Sequence, residues 1–148
     1  MTTMRTGHVG LNVTDLDRSL AFYRDVLDFV LVGEGKEEGR RYAFLGDGES
    51  LVLTLWEQAG DAYDPARSGL HHLAFQVESI ERVTAYEQAL RRRGVDFAHD
   101  GVVAHREGAA SGGIFFHDPD GIRLEISAPS GAEGAPAPHE SAPTCGFF

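Results

Sequence analysis

Gly7-His8-Val9-Gly10-Leu11-Asn12-Val13 is met again 64 residues further on as His71-His72-Leu73-Ala74-Phe75-Gln76-Val77, histidine on histidine and valine on valine. The register holds beyond this strand: Asp17-Arg18 falls on Glu81-Arg82, Ala21 on Ala85 and Phe22 on Tyr86. So many like-for-like pairs in one register point to a duplication. Two copies of one strand-and-helix unit, each opening with a histidine at the same place, can bring those imidazoles together across a pseudo-twofold axis. That is a way to build a metal site.

Each copy starts with alternation and then changes period, as a strand followed by an amphipathic helix does. Val9, Leu11 and Val13 share one strand face; His8, Gly10 and Asn12 share the other. Asp15 or Thr14 can cap a helix whose stripe is Leu16, Leu20, Tyr23 and Leu27, widened by Phe22 and Val26. In the second copy Ser79 caps a helix carrying Ile80, Val83, Tyr86 and Leu90, and Gly94 is placed to end it. Three strand candidates follow each helix: Phe29 to Glu34, Arg40 to Leu45 and Ser50 to Glu57, then Val95 to Val103, Gly113 to His117 and Ile122 to Ala128. Gly46-Asp47-Gly48 and Asp118-Pro119-Asp120-Gly121 supply the turns before the last strand of each copy. The reading is an α+β chain of two βαβββ modules in tandem, residues 5–60 and 69–128, within one domain at 5–128. Residues 129–148, rich in Gly, Ala and Pro and without periodicity, read as a disordered tail.

The totals exclude several function classes. A net charge of -10 and the lack of a basic stripe argue against nucleic acid as a partner. The short run Arg91-Arg92-Arg93 sits at a predicted helix end, where cations suit the dipole. The one cysteine, Cys145, excludes an internal disulfide and makes a reducing compartment the default. Met1 to Gly7 has no apolar leader and no apolar run approaches the ~18 residues of a membrane span, so a cytoplasmic protein without a membrane partner is expected.

Aligning the final strands of the two copies through their turns places Leu53-Thr54-Leu55 on Leu124-Glu125-Ile126. Leu51, Leu53 and Leu55 form one apolar face, as do Ile122, Leu124 and Ile126; Val52, Thr54, Trp56 and Arg123, Glu125, Ser127 take the other. If the helices cover the apolar sides, the uncovered side holds His8, Asn12, Thr54, His72, Gln76, Arg123 and Glu125. Two imidazoles and a carboxylate from different strands match the two-histidine, one-carboxylate arrangement that leaves coordination positions open. Thr54, at the fourth symmetric position, is a poor ligand. A divalent ion on His8, His72 and Glu125 would keep residual positive charge and act as a Lewis acid on an oxygen-rich substrate.

The residues now carry a resemblance. His8-Val-Gly-Leu-Asn-Val, then Asp15-Leu-Asp-Arg-Ser-Leu-Ala-Phe-Tyr-Arg-Asp-Val-Leu27, then His72-Leu-Ala-Phe, then Phe116-His-Asp-Pro-Asp-Gly-Ile-Arg-Leu-Glu-Ile126 look like the vicinal oxygen chelate superfamily. That superfamily groups glyoxalase I, bleomycin-resistance proteins, fosfomycin-resistance enzymes, methylmalonyl-CoA epimerase and extradiol dioxygenases. The resemblance implies paired βαβββ modules in a curved mixed sheet around a cleft, often completed by a second chain, hence a homodimer. It also implies one divalent ion, Fe, Mn, Ni or Zn, on His8, His72 and Glu125, with a fourth ligand, where used, at Thr54. These motifs are specific for the fold and not for the activity.

Departures from the family pattern narrow the activity. Glyoxalase I carries a carboxylate or amide at the position of Thr54, where it helps move a proton, and a threonine hydroxyl is no base near neutral pH. A standard glyoxalase I is therefore disfavoured, and methylmalonyl-CoA epimerase meets the same objection. Extradiol dioxygenases need only the triad, but the tyrosine they carry ten positions before the glutamate is Phe115 here. Fosfomycin-resistance enzymes carry a threonine where this chain has Gly10. The expectation is a metal-dependent enzyme acting on a small oxygen-chelating substrate, of dioxygenase or lyase/isomerase type. The alternative is a bleomycin-resistance-like protein that sequesters a small molecule without chemistry. Asn12, Thr54, Trp56, Gln76, Phe115 and Arg123 are the expected substrate-lining residues. Tyr42 and Phe44 could extend an aromatic wall, Arg106 in the unpatterned stretch 100–110 could contact an anion, and His71 and His117 read as structural.

Overall fold

Both helices begin where a side-chain oxygen can replace a missing backbone partner. In the computed structural model, which describes residues 2–148, the Asp15 carboxylate accepts the Arg18 N–H at 3.1 Å and starts α1, Leu16–Tyr23. The Ser79 hydroxyl accepts the Arg82 N–H at 3.3 Å and starts α2, Ile80–Arg92. Gly94, at φ +70°, follows α2 in the left-handed conformation that ends helices. Within the basic run, Arg91 has a structural role, pairing with Glu87 at 2.9 Å and with Asp100 at 3.1 Å.

The chain forms two compact units, one ending at Tyr63 and the other running Asp64–Phe148. The first contains β1 Val9–Val13, α1, β2 Val30–Glu37, β3 Arg40–Gly46 and β4 Leu51–Glu57, in the sheet order β1-β4-β3-β2. The second contains β5 Leu73–Gln76, α2, β6 Val103–Ala104, β7 Gly112–His117 and β8 Arg123–Ala128, in the order β5-β8-β7-β6. In each, the first and last strands pair in parallel and the remainder are antiparallel. The two units are thus βαβββ modules of an α+β fold, in tandem. The expected stripes form the cores. Leu16, Leu20, Phe22, Tyr23, Val26 and Leu27 are buried in the first, and Val83, Leu90, Ile114, Phe116, Leu124 and Ile126 in the second.

The turn before each last strand repeats one device. Asp47 accepts the N–H groups of Glu49 and Ser50, and Asp118 accepts those of Asp120 and Ile122.

Two expectations need correction. The strand placed at Val95 to Val103 shrinks to Val103–Ala104, with an isolated bridge from Phe97 to Phe116, because Gly101 at φ +73° turns the backbone between them. Residues 129–148, expected to be a disordered tail, are laid against the second unit. Ala132 N–H donates to Ala110 O at 2.8 Å, Ala104 N–H to Pro136 O at 2.9 Å and Thr144 N–H to His105 O at 3.0 Å. A 3-10 turn spans Thr144–Gly146, and Thr144 is fully buried, its hydroxyl donating to Ala104 O at 2.6 Å. Main-chain groups hold this segment, so its lack of apolar periodicity did not prevent ordering.

Candidate functional site

Strand pairing in the second unit concentrates chemistry around Glu125. β8 lies between β5 and β7, so Glu125 stands beside Ala74 on one side and Phe115 on the other. Leu124 and Ile126 point to the core. Glu125 therefore points to the opposite face, and still only 3% of it is exposed.

Its two oxygens face imidazoles. His105 Nε2 lies 2.5 Å from Oε2 and His72 Nε2 lies 3.8 Å from Oε1. His105 is anchored in turn, its Nδ1 lying 2.8 Å from Ser111 Oγ. His72 Nδ1 is 2.9 Å from Nδ1 of His71, so one of these two rings carries the shared proton. His71 thus orients its neighbour, where the sequence put it on the opposite face. Burial holds the His72 imidazole below its ordinary range, against the pull of Glu125, and keeps it in the neutral form that ligates metals.

Cys145 completes the group: donor atoms of His72, Glu125 and Cys145 all lie within 4.8 Å of one another. Burial first, and then the charge of Glu125, push this thiol up. Phe148 packs its ring 4.8 Å from that of Phe115 and 5.7 Å from that of His72. Arg123 donates through Nε to His71 O at 2.7 Å and through Nη1 to Phe148 O at 2.8 Å, so this expected lining residue also fastens the C-terminal segment.

The remaining candidates fall as follows. Gln76 is exposed at the end of β5, and Phe115 is fully buried beneath Phe148 and the rings of His99 and His105. Arg106 is exposed, while its neighbour His105 carries the contact to Glu125. In the first unit, His8 is exposed immediately before β1 and Asn12 is exposed on it, its amide oxygen accepting the Gln58 N–H at 3.0 Å. Thr54 is buried, and its hydroxyl accepts Trp56 Nε1–H at 2.9 Å. Trp56, Tyr42 and Phe44 form one aromatic cluster with ring centroids 5.4 to 5.9 Å apart.

The sequence reading missed His105 and Cys145. His105 could have been found as the residue following a strand that pairs with β7; Cys145 carried no signal beyond being the one thiol.

The sequence and fold are similar to those of known proteins. The chain belongs to the Glyoxalase/Bleomycin resistance protein/Dioxygenase superfamily, which it matches over residues 5–126. Lactoylglutathione lyase of Haemophilus influenzae is 33% identical, over 83% of this chain and 91% of that protein. The glyoxylase/bleomycin resistance protein/dioxygenase domain from Frankia sp. EAN1pec superposes with a TM-score of 0.74 at 29% identity, covering 86% of this chain and 99% of that one. The fosfomycin resistance protein FosX of Listeria monocytogenes, complexed with Mn(II) and sulfate, has a TM-score of 0.65, with 90% of this chain and 98% of that one covered. Its identity of 22% makes this a likeness of fold. Among the described residues no helix is long and apolar enough to cross a membrane.

Proposed function

We propose that this protein is a divalent-metal-dependent enzyme acting on a small substrate that chelates through neighbouring oxygens. The observation that carries the reading is Glu125, a carboxylate buried on a sheet face with an imidazole at each oxygen. A buried carboxylate needs positive compensation, and a cation between it and the neutral His72 imidazole supplies that. His72 and Glu125 are two of the ligands. His8, which opens the equivalent strand of the other unit, is the third that the duplication supplies. Two imidazoles and one carboxylate leave positions for substrate. An ion bound there supplies Lewis acidity toward a substrate oxygen.

The chain's own groups have separate tasks. His71 fixes the His72 ring, and Ser111 and His105 fix the carboxylate, as outer partners of metal ligands do. Phe115 keeps water from one flank of Glu125. The Thr54 hydroxyl, engaged by Trp56, offers no general base. That favours oxygen insertion, or isomerisation or addition at a carbonyl, over standard glyoxalase I chemistry. The chain is further read as a homodimer.

Elemental analysis of full-length protein purified without added metal tests the reading. Stoichiometric Fe, Mn, Ni or Zn, lost in His72→Ala, is the expected result. Metal-free protein that binds a drug-like small molecule unchanged would favour the sequestering alternative and defeat this one.

A further inference from the structure

The chain has a single cysteine, and the fold carries it to the buried carboxylate. Its position is fixed from both sides. Thr144, just before it, is fully buried and bonded to the backbone of Ala104 and His105. Phe148, three residues later, is held through its backbone oxygen by Arg123 and through its ring by Phe115. A shift of one residue in this segment would present Thr144 or Gly146 in place of the thiol. The donors of His72, Glu125 and Cys145 come from three separate stretches of chain and differ in kind: nitrogen, oxygen and sulfur. Donors around a tetrahedral ion of this sort lie about 3.3 to 3.7 Å apart. The 4.8 Å bound on their present separations needs only a small contraction of side chains.

We infer that Cys145 is a thiolate ligand to a divalent ion held by His72 and Glu125. The inference rests on the metal-binding reading above and adds to His8, His72 and Glu125 a fourth donor that the duplicated modules do not contain, so substrate enters by expansion to five-coordination or by displacing the thiolate. On binding, the sulfur gives a lone pair to the ion and its proton passes to solvent, with no change of oxidation state. Sulfur beside nitrogen and carboxylate oxygen favours Zn(II), Co(II) or Fe(II) over Mn(II) or Mg(II). His105 is a positioning residue in this scheme, holding Oε2 of Glu125.

Cobalt alone, titrated into metal-stripped full-length protein, reads the donor directly through the sulfur-to-cobalt charge-transfer band in the near ultraviolet. The wild type is expected to bind one equivalent with that band. Cys145→Ser is expected to bind cobalt without it and at least about ten-fold more weakly, the lower end of what even an outer partner of a metal ligand costs. As a second measurement, Zn(II) should protect Cys145 from alkylation in the wild type and not in His72→Ala. Cobalt bound without a sulfur band, yet lost in His72→Ala, would remove Cys145 from the ligand set and leave the metal-binding reading standing. No bound cobalt, with alkylation indifferent to zinc, would overturn both.

Discussion

Replacing Thr144 by valine keeps the shape of the side chain and removes one hydrogen bond. The Thr144 hydroxyl donates to Ala104 O at 2.6 Å from a fully buried position, so the variant leaves that carbonyl with one partner fewer in a place water does not reach. The net bond and the desolvated acceptor together are worth about 1–2 kcal/mol. Because main-chain bonds and a few side chains hold the segment, the cost falls on its docking before it falls on global unfolding. The undocked population should then rise by roughly 5 to 30-fold. Amide hydrogen exchange reads this at two groups, the Thr144 N–H bonded to His105 O and the Ala104 N–H bonded to Pro136 O. Both should exchange faster by that factor in Thr144→Val, while amides in the centre of β8 keep their protection. If the Thr144 amide of the wild type exchanged at the rate of an unstructured peptide, or if the variant changed neither amide, the docking of this segment and the placement of Cys145 would both fail.

Two other outcomes follow from the same geometry. Burial lowers His72 below the ordinary histidine value of about 6.5. Between that lowered value and 6.5 the unfolded chain therefore binds more protons than the folded one, and stability rises with pH. The denaturant midpoint of metal-free protein should be highest above the ordinary value and fall as pH drops through it. His72→Asn should flatten the slope without abolishing it, since His99 is lowered by burial in the same direction; an unchanged slope would contradict the burial argument. At Gly113 an added Cβ would lie 2.0 Å from Ile126 O and 2.6 Å from Ser127 Cα, both in the backbone of β8, which cannot yield. Gly113→Ala should cost about 3 kcal/mol or more in urea unfolding. Gly33→Ala, with nothing within 4 Å of the new atom, should stay within about 1 kcal/mol, and equal losses at the two positions would show that close approach of β7 to β8 is not the cause.

Much of the architecture was legible because it is local. The Asp15 and Ser79 caps, the stripes of α1 and α2 and the turns at Asp47 and Asp118 each depend on residues within a few positions of one another. The stretch after Val95 misled because Val95 and Phe97 alternate as a strand would, while Gly101 turns the chain before pairing with β7 can continue. His105 was passed over for Arg106 because no local pattern says which of two neighbours will meet a carboxylate twenty positions away.

The duplicated histidines and the Leu-Glu-Ile strand determined, by covalent spacing and period alone, two βαβββ modules and the face on which His72 and Glu125 stand. Tertiary structure decided that His105 takes the second oxygen of Glu125 and that the segment ending in Phe148 delivers Cys145 to the neighbourhood of this carboxylate and His72. The physical reason is the kind of force involved. Period-2 and period-3.6 patterns are written in side chains, which a sequence displays. The docking of 129–148 depends mainly on backbone groups of Ala104, His105, Ala110 and Pro136, which every residue type possesses and no sequence pattern marks.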